Sequence, residues 1–222
     1  MSDGTIRVEV AARVLASNDE IAGANRADLA VRHIFAVDLM GAPGAGKTAL
    51  LEATLRAVAG RHRPAVLVGD LTTRRDGDRL ARWCDRVVQI STGQGCHLEA
   101  HQVRDAMASL DLDGVDLLVI ENVGNLICPV GFDLGQAAKV GLFSVTEGED
   151  KAAKHPYLVR EADLLLLNKV DLLPYLHFDR AAFEADVRLL NASVPVVDVS
   201  ATSGEGLDAW VAWLERGIVA AR

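Results

Sequence analysis

The sequence predicts an α/β fold in which a mostly parallel sheet is covered by helices on both faces. Three observations predict it. Gly41-Ala-Pro-Gly-Ala-Gly-Lys-Thr48 follows the apolar run His33-Ile-Phe-Ala-Val-Asp-Leu-Met40 and leads into Leu51, Leu55 and Val58 at helical spacing. Short apolar runs that close on polar residues recur along the rest of the chain. Segments of helical period separate them, as expected of parallel strands joined by crossover helices.

The Gly-rich stretch is G-x-x-x-x-G-K-[ST] with a strand before it and a helix after it, so the fold expected is that of a P-loop NTPase. Backbone N–H groups of Gly41, Gly44, Ala45 and Gly46 can curl round a phosphate, and the helix N-terminus adds its positive end. Lys47 can reach the β- and γ-phosphates, and the Thr48 hydroxyl can ligate Mg²⁺, with Ala49 next to it in the first helical turn.

Composition bounds the remainder. A chain of 222 residues suits one α/β domain with a large core. No window approaches the ~18 uncharged apolar residues of a membrane span, and the first residues show no apolar run of a secretory signal. Three cysteines cannot all pair with one another, so reduced thiols and a cytoplasmic location are expected. The net charge of −8 argues against nucleic acid or an anionic membrane as partner.

Taken in order, residues 1–31 read as an extension ahead of a nucleotide domain at 32–222. Within the extension, Thr5-Ile-Arg-Val-Glu-Val10 alternates like a short strand, and Ser17-Asn-Asp-Glu20 fits a capping box for a helix reaching Ala30. Beyond the phosphate loop, residues 65–69, 86–90, 116–121, 138–145, 163–168 and 194–199 read as strands. A helix is expected over 98–110, with Val103, Met107 and Leu110 on one face, and a last one carries Leu207, Val211, Leu214 and Ile218. Trp210 and Trp213 beside that face are expected to pack, and Asp76 and Asp78 suit the N-terminus of a short helix.

In such a sheet the functional groups belong at the carboxyl ends of strands. Asp70 and Glu121 stand at two of them, where a carboxylate can bind Mg²⁺ directly or through water. Gly124, just beyond Glu121, can offer an N–H to the γ-phosphate, so Lys47, Asp70 and Glu121 are the candidate catalytic groups. Asn168-Lys-Val-Asp171 selects the base. An aspartate accepts from both N1–H and the 2-amino group of guanine, whereas adenine offers no such pair. Asn168 can orient the loop, the Lys169 stem can lie over the base, and Ser200-Ala201 can bring an N–H to the guanine O6. The substrate expected is GTP, with GDP as product, and a P-loop kinase is disfavoured because that motif has no use for ATP.

Cys96, His97 and Cys128 read in two ways on their own. Two thiolates and an imidazole suit Zn²⁺ or Ni²⁺, while a capping histidine beside two core thiols is the structural alternative. His101, four residues after His97, and Cys84 read as structural.

Five connecting segments carry a resemblance: Gly69-Asp-Leu-Thr-Thr, Thr92-Gly-Gln-Gly-Cys-His-Leu-Glu-Ala100, Glu121-Asn-Val-Gly-Asn-Leu-Ile-Cys-Pro129, Glu147-Gly-Glu-Asp-Lys151 and Asn168-Lys-Val-Asp-Leu-Leu-Pro174. From about Ser17 to its C-terminus the chain resembles the hydrogenase nickel incorporation GTPases of the SIMIBI class. The resemblance implies a metallochaperone that uses GTP hydrolysis to drive nickel insertion in [NiFe]-hydrogenase maturation. It implies Ni²⁺ or Zn²⁺ at Cys96, His97 and Cys128, in a GTP-dependent homodimer where Lys151 reaches the partner's nucleotide. Hydrogenase maturation proteins and the hydrogenase large subunit are the implied partners. Related chaperones serving urease or methylmalonyl-CoA mutase are the nearest alternatives, followed by a metal carrier in which nucleotide only regulates dimerisation. Residues 1–40 contain no cysteine and only His33, so the additional N-terminal nickel site of many members is not expected. Asn125 follows Gly124 where Ras-like enzymes have a water-orienting glutamine, which implies slow intrinsic hydrolysis.

Overall fold

A computed structural model describes residues 3–70, 75–93 and 95–222, with side chains from residue 15 onwards. Seven strands form one sheet: β1 (Phe35–Gly41), β2 (Pro64–Asp70), β3 (Val87–Ser91), β4 (Leu117–Glu121), β5 (Ala138–Ser144), β6 (Leu164–Asn168) and β7 (Val196–Asp198). Their order is β3-β2-β4-β1-β5-β6-β7, and every neighbouring pair is parallel. The strands expected beyond residue 32 are therefore all present.

Helices α1 (Asp3–Val31), α2 (Lys47–Val58), α3 (Arg75–Leu80), α4 (Ala100–Ala108), α5 (Lys151–Lys154), α6 (Pro156–Glu161), α7 (Arg180–Leu190) and α8 (Leu207–Ala220) complete the fold. Alternation along the strands divides the core between the two faces of the sheet. Val37, Leu39, Leu117 and Val119 join Leu51 and Leu55 of α2 and Trp210 and Leu214 of α8. Ala36, Leu67, Leu118 and Ile120 join Leu29 of α1 and Val103 and Met107 of α4 on the other side. Burial on both faces explains why β1 and β4 read as nearly continuous apolar runs. Trp210 stacks on Trp213 and donates its indole N–H to Thr54 Oγ1 at 2.9 Å, so both tryptophans pack as expected.

Two expectations for the extension fail. Thr5–Val10 is part of α1, not a strand. Alternation over six residues is a weak signal, and a helix satisfies its backbone groups internally where a lone strand would need a neighbour. The capping box at Ser17–Glu20 is also absent, because that stretch lies inside the same 29-residue helix. Among the described residues no helix is long and apolar enough to cross a membrane.

A parallel sheet puts all carboxyl ends on one edge. At that edge β1 is flanked by β4 and β5, so the connections from the centre run outwards in opposite directions. A crevice opens at such a switch point, and the phosphate loop lies there.

Candidate nucleotide and metal site

The loop from Gly41 to Thr48 joins β1 to α2 and lines a cleft of about 390 Å³ together with Asp70, Glu121, Val123 and Gly124. Gly46 adopts φ 101°, and a Cβ there would lie 2.5 Å from Asn168 Nδ2. Only glycine meets both demands. At the opposite wall Gly124 packs on Pro43, where a Cβ would come within 3.0 to 3.2 Å of three proline atoms. Lys47 folds back over the loop and donates to the Gly41 and Ala42 carbonyls at 3.1 and 3.4 Å.

Thr48 Oγ1 donates to Glu121 Oε1 at 2.7 Å, while the buried Glu121 Oε2 has no hydrogen-bond partner. Burial pushes the Glu121 carboxyl up to about 7, and the Thr48 hydrogen bond opposes this less strongly. Burial also lowers the Lys47 ammonium, against the pull of Glu121. A divalent cation among Thr48, Asp70 and Glu121 would satisfy the orphaned oxygen and keep the carboxylate ionised. The donors are hard oxygens, which fits Mg²⁺.

The residues expected at the base meet at the ends of β6 and β7. Asn168 Nδ2 donates to Ala45 O at 2.9 Å, and its Oδ1 accepts from the Ala201 N–H at 3.3 Å. One buried amide thus ties the phosphate loop, β6 and the Ser200-Ala201 turn together. Lys169, at φ 64°, reaches over the loop and donates to Gly44 O at 2.7 Å. Asp171 accepts from Ser200 Oγ at 2.6 Å, which fixes the carboxylate. Lys151 does not line the cleft; it opens α5 and pairs with Glu147 at 3.3 Å.

Cys96, His97 and Cys128 come together with ligand atoms within 4.8 Å of one another. Cys96 and His97 lie in the loop before α4, and Cys128 opens a 3-10 turn that follows β4. The His97 ring lies tilted against Phe132, with centroids 3.9 Å apart, and its Nδ1 is 3.5 Å from Cys96 Sγ. The adjacent Cys128 thiol, with burial, pushes the Cys96 thiol up, and burial lowers the His97 imidazolium. A cation would favour the ionised form of the Cys96 thiol, and a neutral imidazole is the form that binds one. The alternative of two core thiols fails on exposure, since Cys96 is exposed and Cys128 only partly covered. Cys84, by contrast, is buried and donates to Pro64 O, and His101 is an exposed partner of Glu99 at 3.3 Å. Residues 71–74 and 94, which include parts of the Gly69–Thr73 and Thr92–Ala100 motifs, lie outside the described residues.

The profile of the CobW/HypB/UreG nucleotide-binding domain matches residues 35–198, from β1 to β7. The chain belongs to the CobW/HypB/UreG family. Within it, the hydrogenase maturation factor HypB of Azotobacter chroococcum mcd 1 is 50% identical over 211 residues, covering 94% of this chain and 68% of that relative. The solved HypB of Archaeoglobus fulgidus superposes with a TM-score of 0.86 at 38% identity, over 92% of this chain and all of that one. HypB of Helicobacter pylori, solved in complex with nickel, superposes at 0.87 with 32% identity, over 91% and 95% of the two chains. The CobW/HypB/UreG match spans every strand end that the site uses.

Several residues of the site escape a reading of motifs. Arg79 lines the cleft and is held by Glu52 at 2.5 Å. Phe132 supports the His97 ring from a loop with no sequence mark. Asp38, in the middle of β1, is fully buried and bonds to Asn122. Its signal was a single charged residue in an otherwise apolar strand.

Proposed function

We propose that the chain is a cytoplasmic metallochaperone GTPase that hydrolyses GTP and handles nickel for hydrogenase maturation. The observation that carries this reading is the convergence of Cys96, His97 and Cys128 within 4.8 Å, on loops that adjoin the phosphate cleft. The names of its relatives, and the nickel held by the Helicobacter pylori neighbour, support nickel as the cargo, with Zn²⁺ as the other ion such a donor set accepts.

In this reading residues 32–222 are the GTPase domain and residues 1–31 an extension. The N–H groups of Gly44 to Lys47 cradle the phosphates, and Lys47 leaves the Gly41 and Ala42 carbonyls for the β- and γ-phosphate oxygens. Asp171, steadied by Ser200, accepts the two guanine donors, and Asn168 keeps the base loop against the phosphate loop. Thr48, Asp70 and Glu121 would hold Mg²⁺, which neutralises charge that grows on the phosphate oxygens. Asn125 is committed elsewhere: its Nδ2 donates to Cys96 O at 3.3 Å and its Oδ1 accepts from the Ile127 N–H. With Asn125 so engaged where Ras-like enzymes have a water-orienting glutamine, the isolated chain is expected to hydrolyse GTP slowly.

Three protein ligands leave a four-coordinate ion one short, which favours sharing across a homodimer and release to a client. There Lys151 would exchange Glu147 for the partner's nucleotide. Other maturation proteins and the hydrogenase large subunit are the recipients, and the net charge of −8 argues against nucleic acid or an anionic membrane as partner.

One titration series tests both halves of the reading. Excess ATP should leave labelled GTP bound, and Ni²⁺ stoichiometry should fall in Cys96→Ala and Cys128→Ala. Displacement by ATP would point to a kinase-like site, and unchanged stoichiometry in both variants would remove the metal assignment.

A further inference from the structure

Asn122 stands between Glu121 and Gly124, and the residue is 1% exposed. Its Nδ2 donates to both Asp38 carboxylate oxygens, at 3.0 and 3.3 Å. Its Oδ1 accepts from the N–H groups of Val123 at 3.0 Å and Leu98 at 3.2 Å. Its own N–H donates to Leu39 O at 3.1 Å. Leu98 directly follows Cys96-His97, and Cys96 O accepts from Asn125 on the same segment. One amide therefore fastens three things: the strand that feeds the phosphate loop, the segment that walls the cleft, and the loop that carries two thiol-site ligands.

Asp38 has a separate task in this arrangement. A carboxyl group in the middle of a buried strand costs stability that an apolar residue would not. An asparagine amide can rotate by half a turn and exchange its oxygen for its nitrogen. A turned Asn122 would point N–H groups at the N–H of Leu98. Asp38, by accepting on the far side, selects the orientation in which the oxygen faces Leu98.

We infer that Asp38 and Asn122 are positioning residues through which the nucleotide bound in the cleft sets the metal affinity of Cys96, His97 and Cys128. The inference rests on the metallochaperone reading and adds the route of its coupling. A terminal phosphate that draws Gly124 and Glu121 towards the cleft moves Asn122 with them, and Asn122 moves the Cys96–Leu98 loop. The Ni²⁺ site is tighter with GTP than with GDP for that reason.

The test uses the full chain in constant Mg²⁺, with Ni²⁺ alone as the probe. Its affinity is read from thiolate-to-nickel absorption with GDP or with a non-hydrolysable GTP analogue. The wild-type ratio of affinities is expected to be about fivefold or more, the lower end of ordinary allosteric coupling. Asn122→Ala and Asp38→Leu should bring it to near one, while Asp38→Asn, which keeps an acceptor for Asn122, should restore it. That rescue separates positioning from a general loss of packing, and the two Asp38 variants decide the matter if Asn122→Ala does not fold. A wild-type ratio retained in Asn122→Ala or Asp38→Leu overturns this inference alone. A ratio of one in the wild type overturns the coupling itself.

Discussion

Asp38 and Glu121 are buried carboxyl groups that carry raised pKa values, and each shift has the same first cause, loss of water. For Asp38 burial raises the value from 3.8 to about 7, against hydrogen bonding from Asn122 and the field of Lys139, with Asp133 adding a little upward. A folded value above the unfolded one means that the native state binds the proton more tightly. Its contribution to stability is complete below pH 3.8 and is lost as pH rises through about 7. Asp38→Asn removes that titration while Glu121 stays common to both proteins. The melting temperature of Asp38→Asn relative to wild type should therefore climb between pH 5 and pH 8, by several degrees at most for a chain of this size. A gap that stays constant over that range would contradict the assignment. Residue identity was the easiest level to read where a motif carried it: Lys47, Thr48, Asn168 and Asp171 lie where their spacing put them. Asn122 was visible only as part of a motif, because its partners Asp38 and Leu98 are 84 and 24 residues away in the chain.

Among the elements, α1 shows how long-range contacts defeat local pattern. The stretch that resembled a helix start, Ser17–Glu20, contributes Asn18, whose Oδ1 accepts from the Ala100 N–H at 2.8 Å and whose Nδ2 donates to Asp133 O at 2.7 Å. Two turns later Asn25 donates to Ala100 O and Leu134 O. Gly135, at φ 92°, lets that loop approach α1 so closely that a Cβ would fall 2.5 Å from the Asn25 Cβ. The asparagines thus act from one helix on the start of α4, directly behind the Cys96-His97 loop. Asn25→Ala leaves two buried carbonyls short of a donor and should cost about 1–3 kcal/mol. Urea unfolding measures this, and a change below about 0.5 kcal/mol would mean that water replaces the amide. The central strands β1, β2, β4, β5 and β6 were legible because both of their faces are buried, so composition marked them, whereas β3 and β7 at the sheet edges are only partly covered. The start of α1 was not, since six alternating residues suit either period.

The whole molecule is organised by its sheet. With every strand parallel and β1 at the centre, the ends of β1, β2, β3, β4 and β6 share one edge, and the loops that leave them form both the nucleotide cleft and the thiol site. That convergence follows from strand–helix alternation and was foreseeable, whereas the bonds between the two sites depend on tertiary placement. Cys128 is only seven positions beyond Glu121, and Leu98 and Asn125 tie the opposite loop to the same segment. Coupling between two sites must act equally in both directions. The decisive measurement is the affinity of a non-hydrolysable GTP analogue for the full chain, by calorimetry at fixed Mg²⁺, with and without saturating Ni²⁺. Nickel should tighten the analogue by about the factor by which the analogue tightens nickel, and Cys128→Ala should abolish the effect. Equal affinities with and without nickel in the wild type would contradict the account.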